Sequence, residues 1–119
     1  MKNNESSENY LETILTLSHR LPVVRSIDIV RELNYTKASV SIAMKNLRES
    51  GHIIVSPEGY INLTPSGLEI AEMIYGRHTL LTKWLISLGV PEETASKDAC
   101  RIEHVISEES IQAIRKSLN

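Results

Sequence analysis

Apolar positions recur at helical spacing through most of this chain, and the period shortens to two in one place only. Leu11, Ile14, Leu15 and Leu17 form a stripe that predicts a helix over 7–19, with Glu8 in the first turn where the helix dipole favours an acid. Pro22 closes the connection that follows. Ser26, a good N-cap, opens a short helix over 26–33 whose apolar face is Ile27, Ile29, Val30 and Leu33. Asn34-Tyr35 reads as a tight turn. Thr36 then caps a third helix reaching about Ser50, with Val40, Ala43, Met44 and Leu47 inward and Gly51 as its terminator. The runs Ile53–Val55 and Tyr60–Leu63 flank Ser56-Pro57-Glu58-Gly59, which has the chemistry of a turn, so a β-hairpin is expected. Pro65 suits the first position of a fourth helix running to about Leu88, stopped by Gly89. A fifth helix is expected from Pro91 to Ile106. Ser107, followed by Glu108 and Glu109, caps a sixth with Ile111, Ile114 and Leu118 on one face. No internal repeat or low-complexity linker interrupts this order.

The fold class that follows is mainly α with a small β-hairpin wing. A winged helix-turn-helix over 1–64 precedes a helical domain over 65–119. In such a unit the third helix can lie in the major groove, the second braces it, and the hairpin lies beside the backbone or minor groove. Thr36, Lys37, Ser39 and Ser41, near the start of the third helix, are the candidates for close approach to DNA. Arg25, Lys45 and Arg48 could supply charge to the flanking backbone. The same fold also serves as a protein–protein module, and each basic residue alone is equally consistent with a solvated surface charge.

Composition sharpens this picture. The 119 residues carry a net charge of −2, which excludes DNA binding by bulk charge and demands a local basic surface. The chain permits one. Arg20, Arg25, Arg31, Lys37, Lys45 and Arg48 face only Asp28, Glu32 and Glu49 between residues 20 and 50, whereas residues 92–109 are mostly acidic. A hydrophobic share of 41% with 24% charged residues argues for a folded chain, and the lack of Phe implies an aliphatic core. The single cysteine excludes an intramolecular disulfide. The polar start MKNNESSENY lacks a signal-peptide core, and no apolar run approaches the ~20 residues of a membrane span. A cytoplasmic protein without membrane contact is expected.

The most unusual chemistry is in ACRIEH. Cys100, Glu103 and His104 stand at i, i+3 and i+4, within an arc of about 100° if the segment is helical. Thiolate, carboxylate and imidazole together suit a divalent transition metal. The same spacing also suits a half-buried cysteine with Glu103 and His104 in solvent. His78 falls on an apolar stripe in which Ala71, His78 and Leu85 run beside Ile74, Leu81 and Leu88. A buried imidazole there needs a partner, either a carboxylate or a metal. Asn9 and Glu12, at i and i+3, offer further oxygen ligands. A zinc hydrolase built on Cys100, His104 and His78 with Glu103 as base would need an open coordination position and a substrate pocket. With no HExxH or PCxxC motif in the chain, no enzyme is expected.

The segments SSENYLETI, LTPSGLEIA, GRHTLL and ACRIEHVIS, in this order across essentially the whole chain, resemble the DtxR/MntR family of iron- and manganese-dependent repressors. The resemblance implies a DNA-binding domain followed by a helical metal-binding and dimerisation domain; longer members add an SH3-like domain, for which this sequence has no counterpart. It implies metal ligands at Glu12, His78, Cys100, Glu103 and His104, and at Asn9, where the manganese branch has Asp and the iron branch Met. Glu12 is manganese-like and Cys100 iron-like. Thr82 and Ser96 stand where the iron branch's extra site has an acid and a His, so that site is not expected as the iron branch builds it. A closely spaced pair of ions sharing Glu103 and Cys100 remains open. The thiolate favours Fe²⁺ first and Mn²⁺ second, with Zn²⁺ or Co²⁺ able to bind in vitro. The implied action is that of a homodimer on double-stranded operator DNA, with metal fixing its two reading heads. Its dimer surface would draw on Leu80, Trp84, Ile111 and Ile114, some of which must fill the monomer core. Activation in place of repression stays open, as does the alternative of a metal-independent winged-helix regulator that answers to a small molecule or protein partner.

Overall fold

The computed structural model describes residues 5–119. Its elements are α1 (Glu5–Ser18), α2 (Ser26–Leu33), α3 (Lys37–Glu49), β1 (Ile53–Val55), β2 (Ile61–Leu63), α4 (Pro65–Ser87), α5 (Glu92–Ile102) and α6 (Glu108–Ser117). They form two compact units, divided within α4 between Glu72 and Met73.

The first unit closes α1, α2, α3 and the hairpin around Leu11, Ile14, Ile29, Val40 and Ile53, all essentially without exposed surface. Local chemistry sets its boundaries. The Thr36 side chain accepts from the Ser39 N–H at 3.1 Å and caps α3. Asn34 takes the left-handed conformation (φ 57°) that lets α2 turn sharply into α3, and Gly51 (φ 81°) ends α3. The N-cap of α2 is Arg25, not Ser26. The Asp28 carboxylate at N3 accepts from the Arg25 N–H at 2.8 Å, the half of a capping box that reaches back from the first turn to the N-cap backbone. In the hairpin Ile53 pairs with Leu63 and Val55 with Ile61; Ile53 and Ile61 face the core, while Ile54 faces out. Tyr60 lies outside β2, its N–H taken by the Ser56 hydroxyl at 3.1 Å. The Ile61 N–H donates to the Val24 carbonyl at 2.8 Å and ties the wing to the loop before α2. α1 begins two residues earlier than expected and ends one earlier.

The second unit packs the end of α4 with α5 and α6 around Leu81, Ala99 and Ile111, with Leu80, Trp84, Ile102, Ile106 and Ile114 against them. Of the four side chains expected at a dimer surface, Ile111 is thus buried in this core and Leu80, Trp84 and Ile114 are half-buried on it. Ser107 caps α6 by accepting from the Ser110 N–H at 3.1 Å. α4 stops at Ser87, and Leu88 falls outside the stripe and is 64% exposed. α5 runs from Glu92 to Ile102 only, four residues short of its expected end. No helix among the described residues is long and apolar enough to cross a membrane.

Gly67 sits so close to the hairpin that a Cβ there would run into the His52 carbonyl oxygen. Gly67→Ala should cost about 1–3 kcal/mol in urea unfolding, because backbone on both sides must shift. Burial, reinforced by Tyr35 lying edge-on at 5.9 Å, holds the Tyr10 phenol protonated above its ordinary value of 10.0. The folded state therefore keeps this proton longer than the unfolded state. That contribution is complete below pH 10 and is lost as pH rises through the folded value. Tyr10→Phe should flatten the alkaline limb of the stability–pH curve.

Candidate metal centre and nucleic-acid interface

In the second unit the side chain of Glu103 has no exposed surface. A carboxylate removed from water needs compensation at both oxygens. One oxygen has it: Oε1 lies 2.8 Å from His78 Nδ1, which α4 supplies. The other, Oε2, is buried with no hydrogen-bond partner and stands 3.8 Å from His104 Nε2, beyond hydrogen-bond reach. The His104 side chain is itself 2% exposed. The second ring nitrogen of His78, Nε2, is 3.4 Å from the Ser96 hydroxyl. A buried acidic oxygen with unfilled lone pairs beside an imidazole nitrogen is a donor set suited to a divalent transition ion, so these residues fit one.

The end of α5 is set by Arg77. Its guanidinium donates to the Glu103 carbonyl at 3.2 Å and to the Ile106 carbonyl at 2.8 Å, and reaches the Glu108 carboxylate at 3.4 Å. Those carbonyls would otherwise continue or cap a helix. Glu103 is thus the C-cap of α5, and His104 lies in the turn beyond it. A hydrogen bond from Gln112 is the main cause that holds the Glu108 carboxyl below its usual range; burial opposes it, and the Arg77 guanidinium adds to the lowering.

The exposures within the Cys-x-x-Glu-His segment therefore invert the bland expectation: Glu103 is buried and Cys100 is exposed on the last turn of α5. Helical hydrogen bonding runs as far as Glu103, whose N–H still donates to the Ala99 carbonyl at 2.9 Å, and His104 lies in the turn beyond. Glu103, His104 and His78 come together. His78 is half-buried, and its partner is a carboxylate. In the first unit Glu12 is buried on α1, at 9% exposure, and Asn9 is half-buried with its carbonyl accepting from the Thr13 hydroxyl at 2.8 Å.

All seven expected DNA-contact residues are exposed in the first unit. Ser41, Lys45 and Arg48, at i, i+4 and i+7, share the outer face of α3. Thr36 and Ser39 spend part of their hydrogen-bonding capacity on the helix cap, hydroxyl to hydroxyl at 2.9 Å. Arg25 lies over the Tyr60 ring at 4.9 Å and donates to its hydroxyl at 3.3 Å, which anchors it against the wing.

Two residues escaped the sequence reading. Ile42, 62% exposed, lies on the outer face of α3. The signal was available, since Ser39, Lys45 and Asn46, its neighbours one turn away, are polar. Arg77 gave the converse signal: Met73, Ile74, Leu80 and Leu81 surround it at one turn, so its partners had to come from elsewhere in the chain.

A helix-turn-helix with a hairpin wing, followed by a helical unit holding a buried acid–imidazole group, defines a winged-helix DNA-binding regulator. Residues 3–61 match the family described as "Iron dependent repressor, N-terminal DNA binding domain", and residues 64–119 match "Iron dependent repressor, metal binding and dimerisation domain". The chain belongs to this DtxR/MntR family of metal-dependent repressors. It is 31% identical over 114 residues to an uncharacterised HTH-type transcriptional regulator of Methanocaldococcus jannaschii, covering 94% of this chain and 91% of that one. It is 32% identical over 111 residues to the transcriptional regulator MntR of Escherichia coli O6:H1, covering 93% and 72%. The solved structure of the manganese regulator SloR superposes with a TM-score of 0.84 at 25% identity, covering 100% of this chain and 55% of SloR. The chain thus spans about half the length of that solved relative.

Arg77→Met keeps the aliphatic stem but leaves the Glu103 and Ile106 carbonyls without their donor. It should lower stability by about 1–3 kcal/mol in urea unfolding.

Proposed function

We propose that this protein is a metal-responsive repressor that binds operator DNA as a homodimer. The observation that carries the proposal is the buried, unpartnered Glu103 Oε2 beside His104 in a chain that also holds a winged-helix head. Glu103 and His104 are the proposed ligands of the second unit, and Glu12 is the proposed contribution of α1. A bound divalent ion would supply positive charge to these acids. Glu12 is carried by the helix that opens the DNA-reading unit, so neutralising it couples metal binding to the head. The oxygen-plus-imidazole set suits both Fe²⁺ and Mn²⁺; the preference for Fe²⁺ rests on the Cys100 thiolate, which is exposed.

In the head, Ser41, Lys45 and Arg48 present hydroxyl and charge to bases and phosphates. Ile42 offers an apolar contact of the kind made with thymine methyl groups. The dimer surface is proposed to use the apolar side chains that α4 and its end leave in solvent, Tyr75, Ile86 and Leu88.

The test is selection of duplexes from a random pool in Mn²⁺, followed by fluorescence anisotropy with and without the ion. Metal should tighten binding by roughly 5–150-fold, the usual span of such coupling. Glu12→Ala should lose most of this gain while keeping the same fold by circular dichroism. Lys45→Ala should weaken binding to all sequences and reduce the salt slope by about 1. Equal binding by the metal-free and metal-loaded protein would refute the proposal and leave a metal-independent regulator in its place.

A further inference from the structure

Resting on the DNA-binding reading above, we infer that Tyr60 is a positioning residue for Arg25. The face of its ring holds the guanidinium ready for a backbone phosphate of the duplex, at the seam between α2 and the wing. The guanidinium lies over the ring, 4.9 Å from its centre, and donates to the Tyr60 hydroxyl at 3.3 Å. A guanidinium has donors to spare after one such bond. Among the described residues no carboxylate comes within ion-pair distance of it, and Asp28 is engaged with the Arg25 backbone N–H. Arg20, in contrast, is paired with Glu32 at 2.9 Å. The ring is itself held in place. The Tyr60 N–H donates to the Ser56 hydroxyl at 3.1 Å, and its carbonyl accepts from the Ser56 N–H at 2.9 Å. The chain leading into Arg25 is fixed to the same strand, since the Val24 carbonyl accepts from the Ile61 N–H at 2.8 Å. Both sides of the contact are therefore set by the fold of the head.

The neighbouring surface suits a phosphate. Ser26, the next residue in the chain, lines a depression of about 310 Å³ together with Ser41, Lys45 and Arg48 of α3 and Val55 of β1. Its polar lining is hydroxyl and cation, with no acid, and groups of this kind fix a protein's register on the duplex. Lys45 and Arg48 have no side-chain hydrogen bond or ion pair among the described residues, so both must be ordered as DNA binds. Arg25 is ordered beforehand. Immobilising a long side chain at an interface costs binding free energy, and a ring that has already placed the guanidinium removes that cost. The contact carries no sequence information of its own.

The experiment titrates the full chain onto a selected duplex and onto an unrelated one across a range of salt, with Mn²⁺ and with the ion chelated. Urea unfolding of each variant checks that the head stays folded. Arg25→Gln should weaken binding to both duplexes and lower the salt slope by about 1, as the loss of one phosphate contact does. Tyr60→Leu removes the ring and keeps every charge. It should weaken binding to both duplexes by about 2–10-fold, the usual cost of ordering one long side chain. Tyr60→Phe keeps the ring face and drops only the hydroxyl, so it should recover most of what Tyr60→Leu loses. The double variant Arg25→Gln/Tyr60→Leu should bind no more weakly than Arg25→Gln alone, because the ring acts only through the guanidinium. An unchanged salt slope in Arg25→Gln, full affinity in Tyr60→Leu, no recovery in Tyr60→Phe, or additive losses in the double variant would overturn the inference and leave the repressor reading intact. No duplex bound by the wild type, with or without Mn²⁺, would overturn both.

Discussion

A carboxylate cannot be moved out of water cheaply, and Glu103 has been moved out of it completely. Everything distinctive in the second unit answers to that constraint. Helix α5 ends where Glu103 must turn inward, and Arg77 fixes the end by holding the carbonyls of Glu103 and Ile106. His78 supplies one hydrogen bond to the acid, and nothing among the described residues supplies one to its other oxygen. An unfilled buried acceptor is costly in a fold that serves no other purpose. In a member of a metal-dependent repressor family it is the part of the structure that a cation would complete.

The first unit shows the opposite economy. Its polar groups are satisfied locally, by caps and turns, and its outer face is left unencumbered. The net charge of the chain is −2, yet the outer face of α3 presents Lys45 and Arg48 with Ser41 between helix cap and wing. Segregation of charge along the sequence allows an acidic protein to offer a basic surface. Arg25 is part of that surface and also part of its frame, because its contact with Tyr60 joins the start of α2 to the wing.

The two units also differ in how much of them could be read from the sequence. Thr36, Asn34, Gly51 and the Ser-Pro-Glu-Gly turn act on residues a few positions away, so α2, α3 and the hairpin were legible almost to the residue. The N-cap of α2 was misplaced by one, because the Asp28 carboxylate reaches back to the N–H of Arg25 and fixes the helix start there. The end of α5 was not legible, since the Arg77–Glu103 contact spans 26 residues and no local pattern encodes it. The chemistry of Cys100, Glu103 and His104 was visible as a set of residue types. Which of them is buried depended on where the helix stopped, and that was decided from α4. For His78 the sequence required a partner and left two kinds open; the fold supplies the carboxylate.

The buried Glu103 carboxyl, with one oxygen left without a hydrogen bond, is the group that a cation would complete. Thermal unfolding at fixed protein concentration, with and without Mn²⁺, tests it most directly in wild type and Glu103→Gln. An ion at 100 times its Kd adds about 2.7 kcal/mol, so the wild-type midpoint should rise by roughly 10 °C. Glu103→Gln should be at least as stable as wild type without metal, since its amide oxygen can keep the His78 bond and its amide nitrogen replaces the oxygen that has no hydrogen bond, and it should not respond to Mn²⁺. A variant that is less stable without metal and still shifts with Mn²⁺ would contradict the account.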